Sequence, residues 1–217
     1  MIVGVDEAGR GPLAGCVVAC ALYIKDKRKI INPELPKISS DYGYFRGSGK
    51  LIVKDSKKLS PLQREITFEQ FRENTVFSVG LATPKEIDRL NILKATFVAF
   101  ERAIAGLLKS YPRLKRADFI IDGNRFSTNI PIKYQCVVKA DESVLEAAFA
   151  SIVAKLFRDY LMGVADMCFP EWDFMKHKGY PTQEHIDIIE KYSLCPLHRR
   201  SFAPCHPEKG HTTNQRR

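Results

Sequence analysis

The sequence predicts an α/β fold in which strands and helices share one domain. Five short segments are rich in β-favouring residues, and the segments between them carry helix-capping residues and apolar periods of about 3.6 residues. The chain has 217 residues, of which 45% are hydrophobic, so it can bury one sizeable core. We predict a domain over residues 1–203, whose C-terminal portion (170–203) is helical, and a flexible polar tail over 204–217.

The first two strands are predicted to form a hairpin. Residues 2–6 and 16–24 are apolar, and a glycine-rich turn connects them. The second segment is almost entirely apolar, which predicts burial on both of its faces. Residues 25–50 contain lysine, proline, serine, glycine and tyrosine without a sustained period, which predicts an exposed loop.

The same local signal begins two helices, with a strand between them. Ser60 is an N-cap candidate followed by proline and, three positions on, by glutamine, which predicts a helix over residues 60–73. Thr75–Ala82 is a predicted strand. Thr83 repeats the capping signal, and the apolar period after it predicts one continuous helix over residues 83–110.

The second half of the chain predicts two further strands and two helices. The predicted strands cover residues 117–122 and 135–141, and each ends in an aspartate. Residues 143–169 are rich in alanine and predict a long helix, and residues 182–192 predict the last one.

Composition restricts the partners and the compartment. The chain has 34 Lys and Arg against 25 Asp and Glu, a net charge of +9, which favours polyanions such as nucleic acid. It begins without the progression of a signal peptide and has no apolar run long enough to span a bilayer, so we expect a cytoplasmic protein without a membrane partner. The six cysteines are scattered through a long chain, which predicts reduced thiols.

Carboxylates stand at the ends of three predicted strands: Asp6 with Glu7, then Asp122, then Asp141. Because the carboxyl ends of parallel strands form one edge of an α/β sheet, these side chains can converge in one cleft. Such a cluster repels itself unless cations neutralise it, and oxygen ligands select Mg²⁺ or Mn²⁺. Any one of these residues alone is more often a strand-end or helix-capping residue, and it is their repetition that favours a metal site.

Two divalent ions about 4 Å apart can activate water and stabilise the leaving oxygen in phosphodiester hydrolysis. Without metal the carboxylates must share protons, so we expect raised pKa values in the cluster and weak activity below neutral pH.

The turn Gly9, Arg10, Gly11 offers backbone amides and a guanidinium beside the acidic pair, which indicates a phosphate site. A dinucleotide-binding loop is the alternative. Asp6 and Glu7 would repel a pyrophosphate, however, and a strand follows where that loop requires a helix.

Eight segments, in order along the chain, resemble the type 2 ribonucleases H, specifically bacterial-type ribonuclease HII. They are residues 4–12 (GVDEAGRGP), 55–60 (DSKKLS), 91–96 (NILKAT), 121–123 (IDG), 139–141 (KAD), 150–155 (ASIVAK) with Arg158 and Asp159, 177–180 (HKGY) and 198–202 (HRRSF). The related ribonuclease HIII typically has serine and lysine where Ala8 and Arg10 stand, so ribonuclease HII is the better match.

The resemblance implies an RNase H-like fold, a mixed five-stranded sheet flanked by helices with a helical C-terminal portion. It also implies an endonuclease that hydrolyses the RNA strand of RNA/DNA hybrids and nicks at single ribonucleotides embedded in duplex DNA, with two Mg²⁺ or Mn²⁺ ions. Family analogy favours a monomer.

Site residues follow from the same resemblance. The metal-binding catalytic carboxylates would be Asp6, Glu7, Asp122 and Asp141. The Gly9-Arg10-Gly11 turn would contact the 2′-hydroxyl and flanking phosphate, and Tyr180 would lie at the RNA–DNA junction. The residues expected to hold phosphates, with solvated surface charge as the alternative, are Ser56, Lys57, Lys58, Arg199 and Arg200. Ser151, Lys155 and Arg158 could serve either packing or phosphate contact.

Three positions depart from the usual pattern: Cys16 replaces proline, Ala140 replaces glycine, and Phe149 stands among small residues. Ala140 could shift Asp141 if that position needs a positive φ.

Other functions stay open. A zinc site could be assembled from Cys195, His198, Cys205, His206 and His211, although the spacing matches no paired ligand pattern. A non-catalytic nucleic-acid binder would gain affinity by losing the carboxylates. Another two-metal nuclease, such as a resolvase or exonuclease, would differ in substrate.

Overall fold

The computed structural model describes residues 1–31 and 59–206. Its centre is a five-stranded sheet in the order β3-β2-β1-β4-β5. The strands are β1 (Ile2–Ala8), β2 (Val17–Ile24), β3 (Thr75–Ala82), β4 (Asp118–Asp122) and β5 (Lys133–Val137). β1 pairs antiparallel with β2 and parallel with β4, so the sheet is mixed and the predicted hairpin is confirmed.

Eight helices surround the sheet within the described residues. They are α1 (Lys27–Ile31), α2 (Pro61–Phe71), α3 (Pro84–Leu90), α4 (Ile92–Ser110), α5 (Ala140–Ser143), α6 (Leu145–Cys168), α7 (Phe174–His177) and α8 (Gln183–Tyr192). Short 3₁₀ turns cover Arg72–Asn74, Pro112–Arg116 and Pro170–Trp172. No helix in this described part is long and apolar enough to cross a membrane.

Helices cover both faces of the sheet because β1 and β2 are apolar on both faces. Val3 and Val5 of β1 belong to the cluster packed under α4. Phe149 of α6 lies on the opposite face, stacked on Phe71 of α2 with ring centroids 3.9 Å apart. Gly4 lets α6 approach β1 closely, since a Cβ there would lie 2.2 Å from the amide nitrogen of Ala147. This approach brings α6 beside the end of β1.

Three predicted elements differ from the structure. The helix over residues 83–110 is two helices, because Asn91 adopts a φ of 69° and caps α4 by accepting a hydrogen bond from the amide of Lys94. The predicted loop over residues 25–50 begins with α1, and its remainder lies outside the described residues. The predicted strand over residues 135–141 is wrong at its end, since β5 stops at Val137 and Asp141 lies in α5.

Candidate active site

Three of the predicted carboxylates meet at one edge of the sheet. One oxygen each of Asp6, Glu7 and Asp122 lies within 4.8 Å of the others. The topology explains this, because β1 and β4 are adjacent parallel strands with Val5 opposite Ile121, and the carboxylates stand at their C-terminal ends. The sequence prediction that these strand ends converge is confirmed for this trio.

The environment of Asp6 opposes its negative charge. Asp6 is buried, and burial raises its pKa well above the ordinary value, with the charges of Glu7 and Asp122 adding to the effect. The Ser151 hydroxyl and the Glu7 amide act in the opposite direction by hydrogen bonding to Asp6, the amide at 2.6 Å from Oδ1. The expected rise in pKa is therefore found at Asp6. A bound cation would stabilise the ionised form of this carboxylate.

Asp141 lies beside this trio but is not one of its three members. It is buried in α5, which packs at the end of β4 through a hydrogen bond of 2.7 Å from the Ala140 amide to Asp122 Oδ1. The positive φ of this segment falls on Lys139, at 57°, and not on Ala140. The alanine is therefore compatible with the backbone here, and the role of Asp141 as a fourth ligand stays a prediction.

The glycine turn follows the end of β1, one residue after the acidic pair. Gly9 has a φ of 95°, and a Cβ there would lie 2.1 Å from Arg158 Nε, so the fold itself demands glycine. Gly11 differs, because a Cβ added at this position would have no atom within 4 Å. Arg10 is half-exposed, and its Nη1 lies 3.4 Å from Glu7 Oε1. The turn therefore presents a cation and an unobstructed backbone next to the carboxylates.

Tyr180 belongs to a loop that is hydrogen-bonded to the same turn. The Leu13 amide donates to the Gly179 carbonyl at 2.7 Å, which ties the two segments together. Tyr180 is 39% exposed, and its ring lies against two cations of α6, with its centroid 5.6 Å from Arg158 Cζ and 5.7 Å from Lys155 Nζ. One face of the ring is thus supported while part of it remains open to solvent.

The predicted phosphate contacts have different outcomes. Arg199 was predicted to hold a phosphate, and this prediction is wrong. Its guanidinium is buried inside the protein and donates hydrogen bonds to three backbone carbonyls. Arg200 is exposed and stays a candidate, with its amide bonded to Asp88 Oδ2. The three residues Ser56, Lys57 and Lys58 lie outside the described residues.

The alternative zinc site is not supported. His198 Nδ1 accepts from the Cys195 amide and its Nε2 lies 3.1 Å from His185 Nε2, so both ring nitrogens already have protein partners. In residues 1–31 and 59–206, the only group of three or more potential metal ligands is the carboxylate trio. His211 lies outside this part of the chain. The dinucleotide-loop alternative fails too, because β2 follows the turn.

Comparison with known proteins decides the family. The family model described as Ribonuclease HII matches residues 44–205. A ribonuclease HII from Pelodictyon phaeoclathratiforme is 41% identical over 205 residues, covering 93% of this chain and 89% of the relative. One from Shewanella pealeana is 40% identical over 202 residues, covering 93% and 87%. This chain belongs to the ribonuclease HII family.

Solved structures confirm the RNase H-like fold of this ribonuclease HII family member. Ribonuclease H2 from Pyrococcus horikoshii superposes with a TM-score of 0.69 at 26% identity, covering 96% of each chain. The ribonuclease HII in a PCNA complex from Archaeoglobus fulgidus gives 0.68 at 24% identity, covering 92% of each. Bst-RNase HIII in complex with Mn²⁺ gives 0.67 at 17% identity, covering 94% of this chain and 67% of that one.

Family membership establishes the reaction class. Ribonucleases HII are metal-dependent endonucleases that hydrolyse phosphodiester bonds in nucleic acid. The carboxylate trio, whose oxygen donors suit hard divalent ions, is consistent with this class of chemistry.

Two groups of supporting residues were not predicted from sequence. Asp159 Oδ1 accepts from Lys155 Nζ at 2.6 Å and Asp159 Oδ2 accepts from Arg64 Nη2 at 3.2 Å, which anchors the α6 segment below Tyr180. His185 bonds the Tyr180 carbonyl at 3.0 Å through Nδ1. Asp159 belongs to a motif found in the sequence, and Lys155 lies only four positions before it, but Arg64 is 95 positions away and its pairing with Asp159 carries no local signal.

Proposed function

We propose that this protein hydrolyses the RNA strand of RNA/DNA hybrids and nicks duplex DNA at single embedded ribonucleotides. The observation that carries the proposal is the junction at the end of β1. The acidic residues Asp6 and Glu7 lead directly into a turn whose Gly11 backbone is unobstructed. A scissile phosphate at the carboxylates would therefore bring its neighbouring sugar close to the turn.

We further propose that two Mg²⁺ or Mn²⁺ ions are held by Asp6, Glu7, Asp122 and Asp141. The donor set fits such ions, because the trio consists of carboxylates within 4.8 Å of one another and includes the buried Asp6. When bound, the ions would supply an activated water and stabilise the leaving oxygen. The protein's part is to hold the carboxylates, with Ser151 and the Ala140 amide orienting Asp6 and Asp122.

Selection of RNA would rest on the 2′-hydroxyl, the group that distinguishes RNA from DNA. Backbone amides can approach it closely only where side chains are absent, and Gly11 provides such a position. Tyr180 would pack its exposed ring face against the next sugar or base, where stacking is tolerant of sequence. All these groups come from one chain, so we propose that a monomer is sufficient.

Cleavage of three labelled duplexes tests the proposal: all DNA, one embedded ribonucleotide, and RNA/DNA hybrid, each with Mg²⁺, Mn²⁺ or chelator. We expect metal-dependent cutting of the hybrid and a nick at the single ribonucleotide, with all-DNA duplex intact. Asp122→Asn should abolish both reactions without unfolding the protein. Cutting of all-DNA duplex would indicate another two-metal nuclease, and binding without cutting would indicate a non-catalytic binder.

A further inference from the structure

We propose that Arg199 is a positioning residue that sets the conformation of the glycine turn and thereby controls discrimination of a ribonucleotide from a deoxyribonucleotide. The inference rests on the proposed function, in which this turn contacts the 2′-hydroxyl. It concerns a residue that does not touch the substrate itself.

One guanidinium holds the carbonyls of the turn. Arg199 Nη2 donates to the Gly9 carbonyl at 2.6 Å, Nη1 to the Arg10 carbonyl at 2.9 Å and Nε to the Gly15 carbonyl at 2.9 Å. One planar group therefore binds both the Gly9-Arg10-Gly11 turn and Gly15, which lies shortly before β2. Arginine suits this task because its donors form a rigid fork, whereas a lysine ammonium cannot contact three carbonyls in one plane.

The amides of the turn are left for a ligand. Within the described residues, the amides of Arg10 and Gly11 donate to no protein acceptor, although the carbonyls of Gly9 and Arg10 are engaged by Arg199. The turn is thus held on its carbonyl side while its donor side is free. This is the arrangement needed by a backbone that reads a hydroxyl or phosphate oxygen through N–H groups.

A second buried arginine braces the other side of the turn. Arg158 lies against Gly9, and its Nη2 donates to the Ala14 carbonyl at 3.2 Å and to the Lys178 carbonyl at 2.9 Å. The same guanidinium lies under the ring of Tyr180. Arg158 therefore links the turn to the loop that carries the tyrosine.

Burying a guanidinium at these two positions carries a desolvation cost. Arg158 and Arg199 are both buried, and their guanidinium groups donate hydrogen bonds to neutral carbonyls instead of carboxylates. Burial, followed by the charge of Arg158, lowers the pKa of Arg199 to about 9. An apolar side chain would avoid the cost of burying such a charge. What arginine adds at position 199 is the geometry of the turn.

A variant of Asp88 can serve as a control, because it would loosen the segment after Arg199 without removing the Arg199 side chain. Asp88 accepts hydrogen bonds from the Arg200 amide at 3.0 Å, the Ser201 amide at 2.9 Å and the Ser201 hydroxyl at 2.7 Å. These bonds hold the segment next to Arg199 but do not involve the turn. Asp88→Asn therefore weakens the segment and leaves the hydrogen bonds of the Arg199 guanidinium in place, while also removing a carboxylate whose charge raises the pKa of Arg199.

The experiment compares wild type, Arg199→Lys and Asp88→Asn on the duplex with one ribonucleotide. Arg199→Lys should lower kcat/KM about 10–100-fold, because small displacements of positioning groups cost rates of that order. Binding in Ca²⁺ should show the cause: affinity for the ribonucleotide duplex falls to that for all-DNA duplex, whose own affinity is unchanged. The Tm increase produced by Mn²⁺ should equal that of wild type, since the carboxylates are intact.

Two results would overturn the proposal: unchanged discrimination in Arg199→Lys, or an equal loss of discrimination in Asp88→Asn. If Arg199→Lys does not fold, nitrogen-15 NMR of the wild-type Arg199 side chain decides. Its Nε–H resonance should shift with the ribonucleotide duplex and not with all-DNA duplex, and equal shifts refute the inference. If the wild type does not distinguish the ribonucleotide duplex from all-DNA duplex, the proposed function itself is refuted. This result is different from the two that refute only the role of Arg199.

Discussion

Two glycines of one turn illustrate how different physical reasons can lie behind the same residue type. Gly9 is required by the fold, because its φ is positive and Arg158 occupies the space of a side chain. Gly11 has an ordinary φ and open space around it. Its lack of a side chain therefore has no reason among its described neighbours, and it agrees with the proposed close approach of a substrate to this position.

This contrast predicts the behaviour of Gly11→Ala. The variant should keep the Tm of wild type within about 1–2 °C, because the added methyl group meets nothing and surface substitutions change stability little. Cleavage at a single ribonucleotide should fall at least tenfold. Gly9→Ala is the comparison, since it should lose stability as well as activity. Thermal melts and kinetics together check this, and full activity in Gly11→Ala would contradict it.

Asp6→Asn should separate stability from activity. The pKa of Asp6 is raised above 3.8 in the folded state, so the ionised carboxylate destabilises the fold. This destabilisation is absent below pH 3.8 and increases as the pH rises through the folded pKa. In chelator at pH 8 the melting temperature of the variant should therefore be higher than that of the wild type.

In chelator this difference should shrink as the pH falls towards 3.8, because the raised pKa favours the protonated carboxyl in the folded wild type. With Mn²⁺ the order should reverse, since the wild type gains a bound cation. Cleavage should be lost throughout. Melting curves at both pH values give the test, and a variant less stable in chelator at pH 8 would refute the electrostatic account.

At the scale of elements, α3 shows how a local signal and a distant contact combine. Thr83 and Glu86 form a capping box at its start. Arg102 of α4 then binds the same carboxylate, with Nη2 2.6 Å from Glu86 Oε1. These hydrogen bonds lower the pKa of Glu86 to about 2, Arg102 being the largest cause.

We expect Glu86→Gln to destabilise the protein at pH 7 by about 1 kcal/mol, a modest value because Arg102 is half-exposed. A depressed carboxyl pKa contributes stability above the ordinary value of 4.5, and this contribution is lost as the pH falls towards 2. The difference should therefore shrink over that range. Urea titrations at several pH values check this prediction. Thr83→Ala is the control, because the destabilisation caused by removing its capping hydroxyl should remain at low pH.

At the scale of the whole molecule, three buried histidines hold the C-terminal portion that carries Tyr180. His177 Nε2 lies 2.8 Å from the Trp172 carbonyl, and its Nδ1 accepts from the Gly179 amide. His185 and His198 meet through their Nε2 atoms. This hydrogen-bonding pattern is satisfied by neutral rings, so the packing of the loop depends on uncharged imidazoles.

The histidines predict acid sensitivity. Burial lowers the pKa of His185 and of His198 to about 4. A histidine whose folded pKa is depressed contributes full stability above 6.5, and loses it as the pH falls from there towards 4. Unfolding free energy in chelator should therefore fall by a few kcal/mol between pH 7 and 4.5 through these groups, partly offset by Asp6. NMR titration of both rings checks it, and a midpoint near 6.5 would contradict it.

The carboxylate trio and the capped helices could be predicted from sequence alone because their signals are local. Asp6, Glu7 and Asp122 each follow an apolar strand, and one topological rule brings parallel strand ends together. Ser60 and Thr83 mark helix starts within four residues of chain. The break at Asn91 escaped prediction, because the apolar period continues across it while the backbone does not.

Tertiary structure alone decided where Asp141 and Arg199 lie and what they contact. The sequence before Asp141 favours a strand, yet pairing with β4 ends at Val137 and leaves the aspartate in α5. Arg199 has the same charge in sequence as the exposed Arg200, but its partners Gly9, Arg10 and Gly15 lie 184–190 positions away. Capping and periodicity act over a few residues, whereas burial and hydrogen bonding of a side chain depend on which distant backbone the fold brings to it.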